Sequence, residues 1–149
     1  MKITLVCPGW KNRGLNSISF FKMPPQSLIQ LASLTPLDWE VKIVNEDNDV
    51  INFDEPTNLV GLTAMTALAP RAYEIAEEFR KRGIPTIIGG IHASMLPDEA
   101  IKYVDSVVIG EADAIWSNIL DDFRQGNLKK VYRAIYPANL DFISCREIK

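Results

Sequence analysis

Thr86-Ile87-Ile88-Gly89-Gly90-Ile91-His92-Ala93-Ser94 is the stretch that decides the fold. An apolar run stops abruptly at two glycines, a histidine and two small residues. Glycine has no Cβ, so a strand finishing on a glycine pair lets the backbone bend sharply or lie directly against a ligand. A second apolar run, Val107-Val108-Ile109, ends in Gly110-Glu111 in the same manner.

Working outward, short apolar runs recur at Ile3–Val6, Val41–Val44, Leu59–Leu62, Thr86–Ile88 and Ser106–Ile109. They are continuous rather than alternating and rich in Val and Ile, the pattern of strands covered on both faces. Helical patterns lie between them. Leu68, Ala72, Ile75, Ala76 and Phe79 fall on one helix face, with Arg71, Glu74, Glu77, Glu78 and Lys81 largely opposite. Ala112, Ile115, Trp116, Ile119, Leu120 and Phe123 predict a second helix that stops at Gly126. Pro25–Leu34 and Pro97–Val104 are weaker helical segments, each opening on a proline that the first turn tolerates. The acidic link from Asn45 to Asn58 offers only a short turn.

Strand–helix alternation predicts an α/β fold with helices on both faces of a parallel sheet. Five strands most simply give a doubly wound, flavodoxin-like (Rossmann-like) sheet in the order 2-1-3-4-5. Val131–Ala134 is a candidate for a short extra strand. The expected division is a domain over 1–134 and a linker over 135–149.

Composition narrows the function. The 149 residues are 47% hydrophobic and 23% charged, near the globular average. A chain of this size buries roughly 68–70% of its unfolded surface, enough for a core. The net charge of −3 and pI of about 5.2 give no electrostatic reason to expect nucleic acid or an anionic membrane as partner. No apolar run reaches the roughly 18 residues of a membrane span. The two cysteines, Cys7 and Cys145, imply neither a disulfide framework nor a metal site, and a cytoplasmic setting is expected.

In open α/β sheets, ligands bind outside the carboxyl ends of the strands, where strand order reverses. The segments expected there are Cys7-Pro8-Gly9-Trp10-Lys11-Asn12-Arg13-Gly14, in a long loop reaching to about Met23, then Thr63-Ala64-Met65-Thr66, Gly89-Gly90-Ile91-His92-Ala93-Ser94 and Gly110-Glu111-Ala112-Asp113. Most of these residues are small, leaving a deep slot with hydroxyls and backbone N–H groups on its walls. Glycine-rich βα loops can also serve simply to turn the chain. Phosphate-loop, dinucleotide and serine-elbow motifs are absent, and no His or Cys pair has metal spacing. The slot reads as a binding site without catalytic apparatus of its own.

Val60-Gly61-Leu62-Thr63-Ala64-Met65-Thr66, Ile87-Ile88-Gly89-Gly90-Ile91-His92-Ala93, Pro97-Asp98-Glu99-Ala100 and Asp105-Ser106-Val107-Val108-Ile109-Gly110-Glu111, in that order, resemble a known family. It is the N-terminal cobalamin-binding domain of B12-dependent radical SAM proteins, a group that includes methyltransferases and the anaerobic magnesium-protoporphyrin monomethyl ester cyclase. The resemblance implies that Thr63-Ala64-Met65 takes the place of a Ser-x-Leu segment, Thr63 offering its hydroxyl to the benzimidazole nitrogen of cobalamin. It implies that Gly89-Gly90 clears room for that ring. Pro8, Gly9, Trp10, Thr66, Gly110 and Glu111 complete the expected cofactor-binding set, with Glu111 read either as a tail or corrin contact or as a helix cap.

The Asp-x-His-x-x-Gly motif that ligates cobalt in methionine synthase and the mutases is missing after the first strand. The resemblance therefore implies a base-off cobalamin held without a protein histidine. His92 is included in the binding set with three readings open: a structural histidine, a tail contact, or a cobalt ligand. Trp10, Leu15 and Met23 are candidates to cover the lower corrin face.

Radical SAM chemistry further implies a Cys-x-x-x-Cys-x-x-Cys motif for a [4Fe-4S] cluster, together with S-adenosylmethionine, and this chain carries neither cluster motif nor barrel. Asn139-Leu140-Asp141-Phe142 resembles the linker that precedes the C-terminal radical SAM domain. The expectation is an N-terminal module of a larger methyltransferase or oxidative cyclase, binding cobalamin but catalysing nothing alone. Two alternatives stand beside it: a degenerate flavodoxin-like interaction domain without cofactor, and a small enzyme taking a flavin or nucleotide at the same edge.

Overall fold

The computed structural model describes residues 1–10 and 25–135. Its strands are β1 (Lys2–Cys7), β2 (Glu40–Asn45), β3 (Leu59–Thr63), β4 (Thr86–Gly89), β5 (Ser106–Ile109) and β6 (Val131–Arg133). All pair in parallel in one sheet, in the order β2-β1-β3-β4-β5-β6. The doubly wound architecture stands. Among the described residues the strand count is corrected from five to six, because Val131–Arg133, the candidate extra strand, adds to the outer side of β5.

The α-helices are α1 (Gln26–Leu34), α2 (Ala69–Lys81), α3 (Ile91–Met95), α4 (Pro97–Ala100) and α5 (Trp116–Arg124). Short 3-10 turns at Thr66–Leu68 and Ala112–Ala114 lead into α2 and toward α5. The helix expected over Pro97–Val104 ends at Ala100, and the unforeseen α3 forms directly after the glycine pair. No helix crosses from β2 to β3; turns do so, and Phe53 covers that flank by packing on Phe79 with ring centroids 5.0 Å apart.

Two apolar layers sandwich the sheet. On one face Val6, Val60, Leu62, Ile88 and Val107 meet Ala72, Ile75, Ala76 and Phe79 of α2 and the alanines of α3 and α4. On the other, Ile3, Leu5, Leu59, Ile87 and Val108 meet Leu28 and Ala32 of α1 and Trp116, Ile119 and Leu120 of α5. Successive strand side chains point to opposite faces, so these two sets alternate along each strand. On the α1/α5 face, β3 then presents Leu59, Gly61 and Thr63, and β4 presents Ile87 and Gly89. Register sets Gly61 beside Ile87 and Thr63 beside Gly89.

Candidate functional site

That register opens a cavity of about 530 Å³ between the sheet and the α1/α5 pair. It lies at the carboxyl ends of the strands, beside the reversal of strand order between β1 and β3, and its size is usual for a small-molecule site. Leu5, Gly61, Ile87 and Val108 form its floor, and Leu28 and Trp116 wall it from the helix side. A Cβ on Gly61 would come within 2.8 Å of Leu5 Cδ2 and 4.0 Å of Trp116 Cη2. The missing side chain is therefore what lets Leu5 lie across β3 in the floor.

The two glycines of the pair have different tasks. A Cβ on Gly89 would sit 3.7 Å from Val108 Cβ, an ordinary contact, so the backbone tolerates a side chain and the cavity does not. Gly90 has φ +94°, where an L-residue is strained, and its Cβ would lie 2.8 Å from Thr63 Oγ1 and 3.2 Å from the Ala64 carbonyl oxygen. Gly90 makes the turn into α3, which Ala64 fixes by accepting from the His92 N–H at 3.2 Å.

Of the residues expected from sequence, Thr63, Gly89, Gly90, Gly110 and Glu111 line the cavity together. Ala64, Met65 and Thr66 follow β3 at the same edge without lining it; Ala64 is buried, Met65 and Thr66 are exposed. Pro8, Gly9 and Trp10 also stand outside the lining. The Gly9 N–H donates to Glu46 Oε2 at 2.9 Å and the Trp10 N–H to Asp47 Oδ1 at 2.9 Å, which ties the end of β1 to the end of β2. Leu15 and Met23, like the linker 139–142 and Cys145, lie outside the described residues.

Buried Glu46 is held in turn by Arg71 of α2, whose Nη2 donates to Oε1 at 2.6 Å and whose Nε donates to the same carboxylate. Removing Arg71 leaves a nearly buried carboxylate without its cation. Arg71→Ala is expected to cost about 2–3 kcal/mol in urea denaturation. A loss below about 0.5 kcal/mol would show that the pair contributes no more than a surface salt bridge.

His92 turns away from the cavity. It is buried on the α2 face, with Nε2 2.8 Å from the Tyr73 hydroxyl. That hydroxyl also donates to Glu99 Oε1 at 3.1 Å, so both bonds are satisfied when His92 Nε2–H donates to the Tyr73 oxygen. Burial, and then the Glu99 carboxylate, push the Tyr73 phenol well above its ordinary range. Among the described residues His92 Nδ1 is buried without a partner.

Sequence reasoning missed the floor, Gly61, Leu5, Ile87 and Val108, and the wall, Leu28 and Trp116. The one available signal was a glycine in the middle of a Val/Leu strand, a place where something approaches closely. At the mouth, Ile91 and Met95 are exposed and line the opening, and Met65 and Leu96 are exposed on the same edge. Glu111 and Asp113 add carboxyls there.

Burial, and then the charge of Glu111, hold the Asp113 carboxyl above the usual aspartate range. The folded chain then binds that proton more readily than the unfolded chain. Stability accordingly falls as pH rises from the unfolded value through the folded one. Asp113→Asn is expected to raise the urea midpoint at neutral pH and leave it unchanged in acid below the usual aspartate range. An equal change at both pH values would trace the effect to something other than ionisation.

Cys7 is no candidate nucleophile, since burial, then Asp47 and Glu46, raise its thiol. Among the described residues no group of three or more His, Cys, Asp or Glu is disposed to hold a metal, and no helix is long and apolar enough to cross a membrane.

Fold and site together define a doubly wound domain with a cavity at its switch point. The chain belongs to the family of B12 binding domains, which matches residues 25–120. It is 47% identical over 103 residues to bacteriochlorophyllide d C-8(2)-methyltransferase of Chlorobaculum tepidum, covering 68% of this chain and 23% of that one. It is 34% identical over 112 residues to bacteriochlorophyllide d C-12(1)-methyltransferase of the same organism, covering 74% of this chain and 25% of that one. The chain thus spans about a quarter of the length of these curated relatives. Among solved structures, the N-terminal domain of a hypothetical protein of Thermotoga maritima aligns with a TM-score of 0.46 at 24% identity, over 58% of this chain and 74% of that one.

The residues present fit a cobalamin. Gly89 leaves space in the cavity that a side chain would fill, and Thr63 offers a hydroxyl that takes no hydrogen-bond partner among the described residues. A flat heteroaromatic needs such an apolar slot with one polar group to orient it.

Proposed function

We propose that this chain binds cobalamin by its nucleotide tail, base-off and without a protein histidine, as the N-terminal module of a larger B12-dependent radical SAM methyltransferase. The observation that carries the reading is the glycine-floored cavity at the switch point, closed below by apolar side chains and open at the carboxyl edge. Gly89 makes room for the base, Thr63 orients it, and Trp116 and Leu28 exclude water from it. The exposed apolar residues Ile91 and Met95 face the corrin, and Glu111 and Asp113 accept hydrogen bonds from its amide side chains. Cobalamin, when bound, supplies a cobalt centre able to carry a methyl group.

Family membership and two relatives named as methyltransferases support this reading, as does the chain's small share of their length. The [4Fe-4S] cluster, S-adenosylmethionine and the substrate would then belong to a C-terminal radical SAM domain following the linker 135–149. The division at residue 134 is part of the same proposal.

The test is retention. After incubation with hydroxocobalamin and desalting, the chain is expected to keep corrin absorbance with a base-off visible spectrum. His92→Ala is expected to leave that spectrum unchanged, whereas a changed cobalt spectrum would make His92 a ligand. No retained corrin on a chain that is folded by circular dichroism would overturn the proposal in favour of a cofactor-free interaction domain.

A further inference from the structure

The lining of the cavity sorts by depth. Its buried members are Leu5, Leu28, Gly61, Leu62, Ile87, Val108 and Trp116, all apolar side chains or glycine apart from one indole nitrogen. That nitrogen is spent: Trp116 Nε1–H donates to Thr35 Oγ1 at 2.9 Å, outside the lining. Every other polar side chain of the lining among the described residues, namely Ser27, Thr63, Ser94, Glu111 and Asp113, is at least partly exposed and belongs to the mouth. Ser94 is also committed, donating to the Gly90 carbonyl at 2.9 Å and accepting from the Gly110 N–H at 3.0 Å. The backbone groups of the floor strands are paired within the sheet. Among the described residues the floor therefore offers neither donor nor acceptor to whatever reaches it.

We infer that the cavity selects among corrinoids by their lower base, accepting a benzimidazole and rejecting a purine. This rests on the tail-binding reading above. A dimethylbenzimidazole presents a hydrocarbon edge to the floor and one nitrogen to Thr63 at the mouth. An adenine of similar shape carries an exocyclic amine and additional ring nitrogens, and the floor leaves them buried without partners. Each such group keeps its full desolvation penalty. A hydrophobic site discriminates against an added polar group by about a hundredfold at most, so the expected preference is roughly tenfold to a hundredfold.

The experiment is equilibrium dialysis of the full chain against three corrinoids: cobalamin, the adenine-bearing cobamide, and cobinamide, which lacks the nucleotide tail. All are used in the dicyano form, where neither base is bound to cobalt, so that the cost of detaching the base does not enter. The expected order is cobalamin tightest, with the adenine form weaker by at least tenfold and cobinamide weaker than cobalamin. A cobalamin-to-adenine ratio under tenfold overturns the inference while leaving tail binding intact. Cobinamide binding as tightly as cobalamin overturns it by removing the tail from the cavity. Failure of all three to bind a folded chain overturns the tail-binding reading itself, and base selection with it.

Discussion

Gly89→Leu is expected to abolish cobalamin retention while leaving the fold intact. Gly89 is in β4 with an ordinary backbone conformation, and its Cβ would meet Val108 at contact distance. The remaining leucine atoms project from the α1/α5 face into the cavity that Thr63 and Gly89 share in register. Stability should change by no more than about 1 kcal/mol, since a strand glycine gives way to a residue that packs. Affinity should fall more than about a hundredfold, because a base and an isobutyl group cannot occupy the same space.

Its neighbour behaves oppositely. Gly90→Ala forces a Cβ onto a positive φ and against Thr63 and the Ala64 backbone, and should cost about 2–3 kcal/mol of stability. Hydroxocobalamin retention and urea denaturation on both variants separate the effects. If Gly89→Leu retained the corrinoid at the parent's affinity, the base would have to sit elsewhere.

Trp116→Ala is the substitution with the largest expected loss of stability. Trp116 is 2% exposed, opens α5, and walls the cavity opposite Gly61. Its indole also joins the two helices of that face through Thr35, which directly follows α1 and donates to the Leu31 carbonyl at 2.7 Å. Deleting the ring removes a large buried area, leaves a void continuous with the cavity, and unlinks α5 from α1. The expected cost is about 3–5 kcal/mol, a drop of roughly 2 M in urea midpoint. Trp116→Phe keeps most of the ring volume but not the N–H, and should lose about 1–2 kcal/mol. A loss under about 1 kcal/mol for the alanine variant would mean that α5 is held by its other contacts and that Trp116 only lines the cavity.

Much of the architecture was legible because buried parallel strands write themselves as unbroken Val/Ile runs. The runs at residues 3–6, 41–44, 59–62, 86–88 and 106–109 each lie within an observed strand. β6 escaped the count because it is three residues long, with only Tyr132 buried, and follows two lysines. α3 has five residues, too few to show a helical period. The site was legible at its mouth, where glycines and hydroxyls stand out from their surroundings. Its floor and wall were not, because Leu5, Ile87, Val108 and Trp116 are the residue types that fill any core. Only the packing of α1 and α5 turns them into a lining. His92 looked like part of the site for its sequence neighbours, but the helical turn after Gly90 carries its ring to the opposite face, against Tyr73.

β6 has a bearing on how copies of this chain behave toward one another. All four residues of β5 are buried, and β6 covers its open side through the register Val107–Val131 to Ile109–Arg133. A bare β5 would present a flat, uncharged row of backbone groups, the form of edge that templates pairing between molecules and leads to aggregation. β6 replaces it with a strand of three residues preceded by Lys129 and Lys130 and ending in Arg133, too short and too positive to recruit another. The opposite edge, β2, is protected differently. Lys42 of β2 is paired with Glu55, and Glu40 and Glu55 are bridged by Lys2. The described residues thus leave an apolar mouth at the carboxyl ends of the strands while the strands flanking the sheet carry charge on both sides.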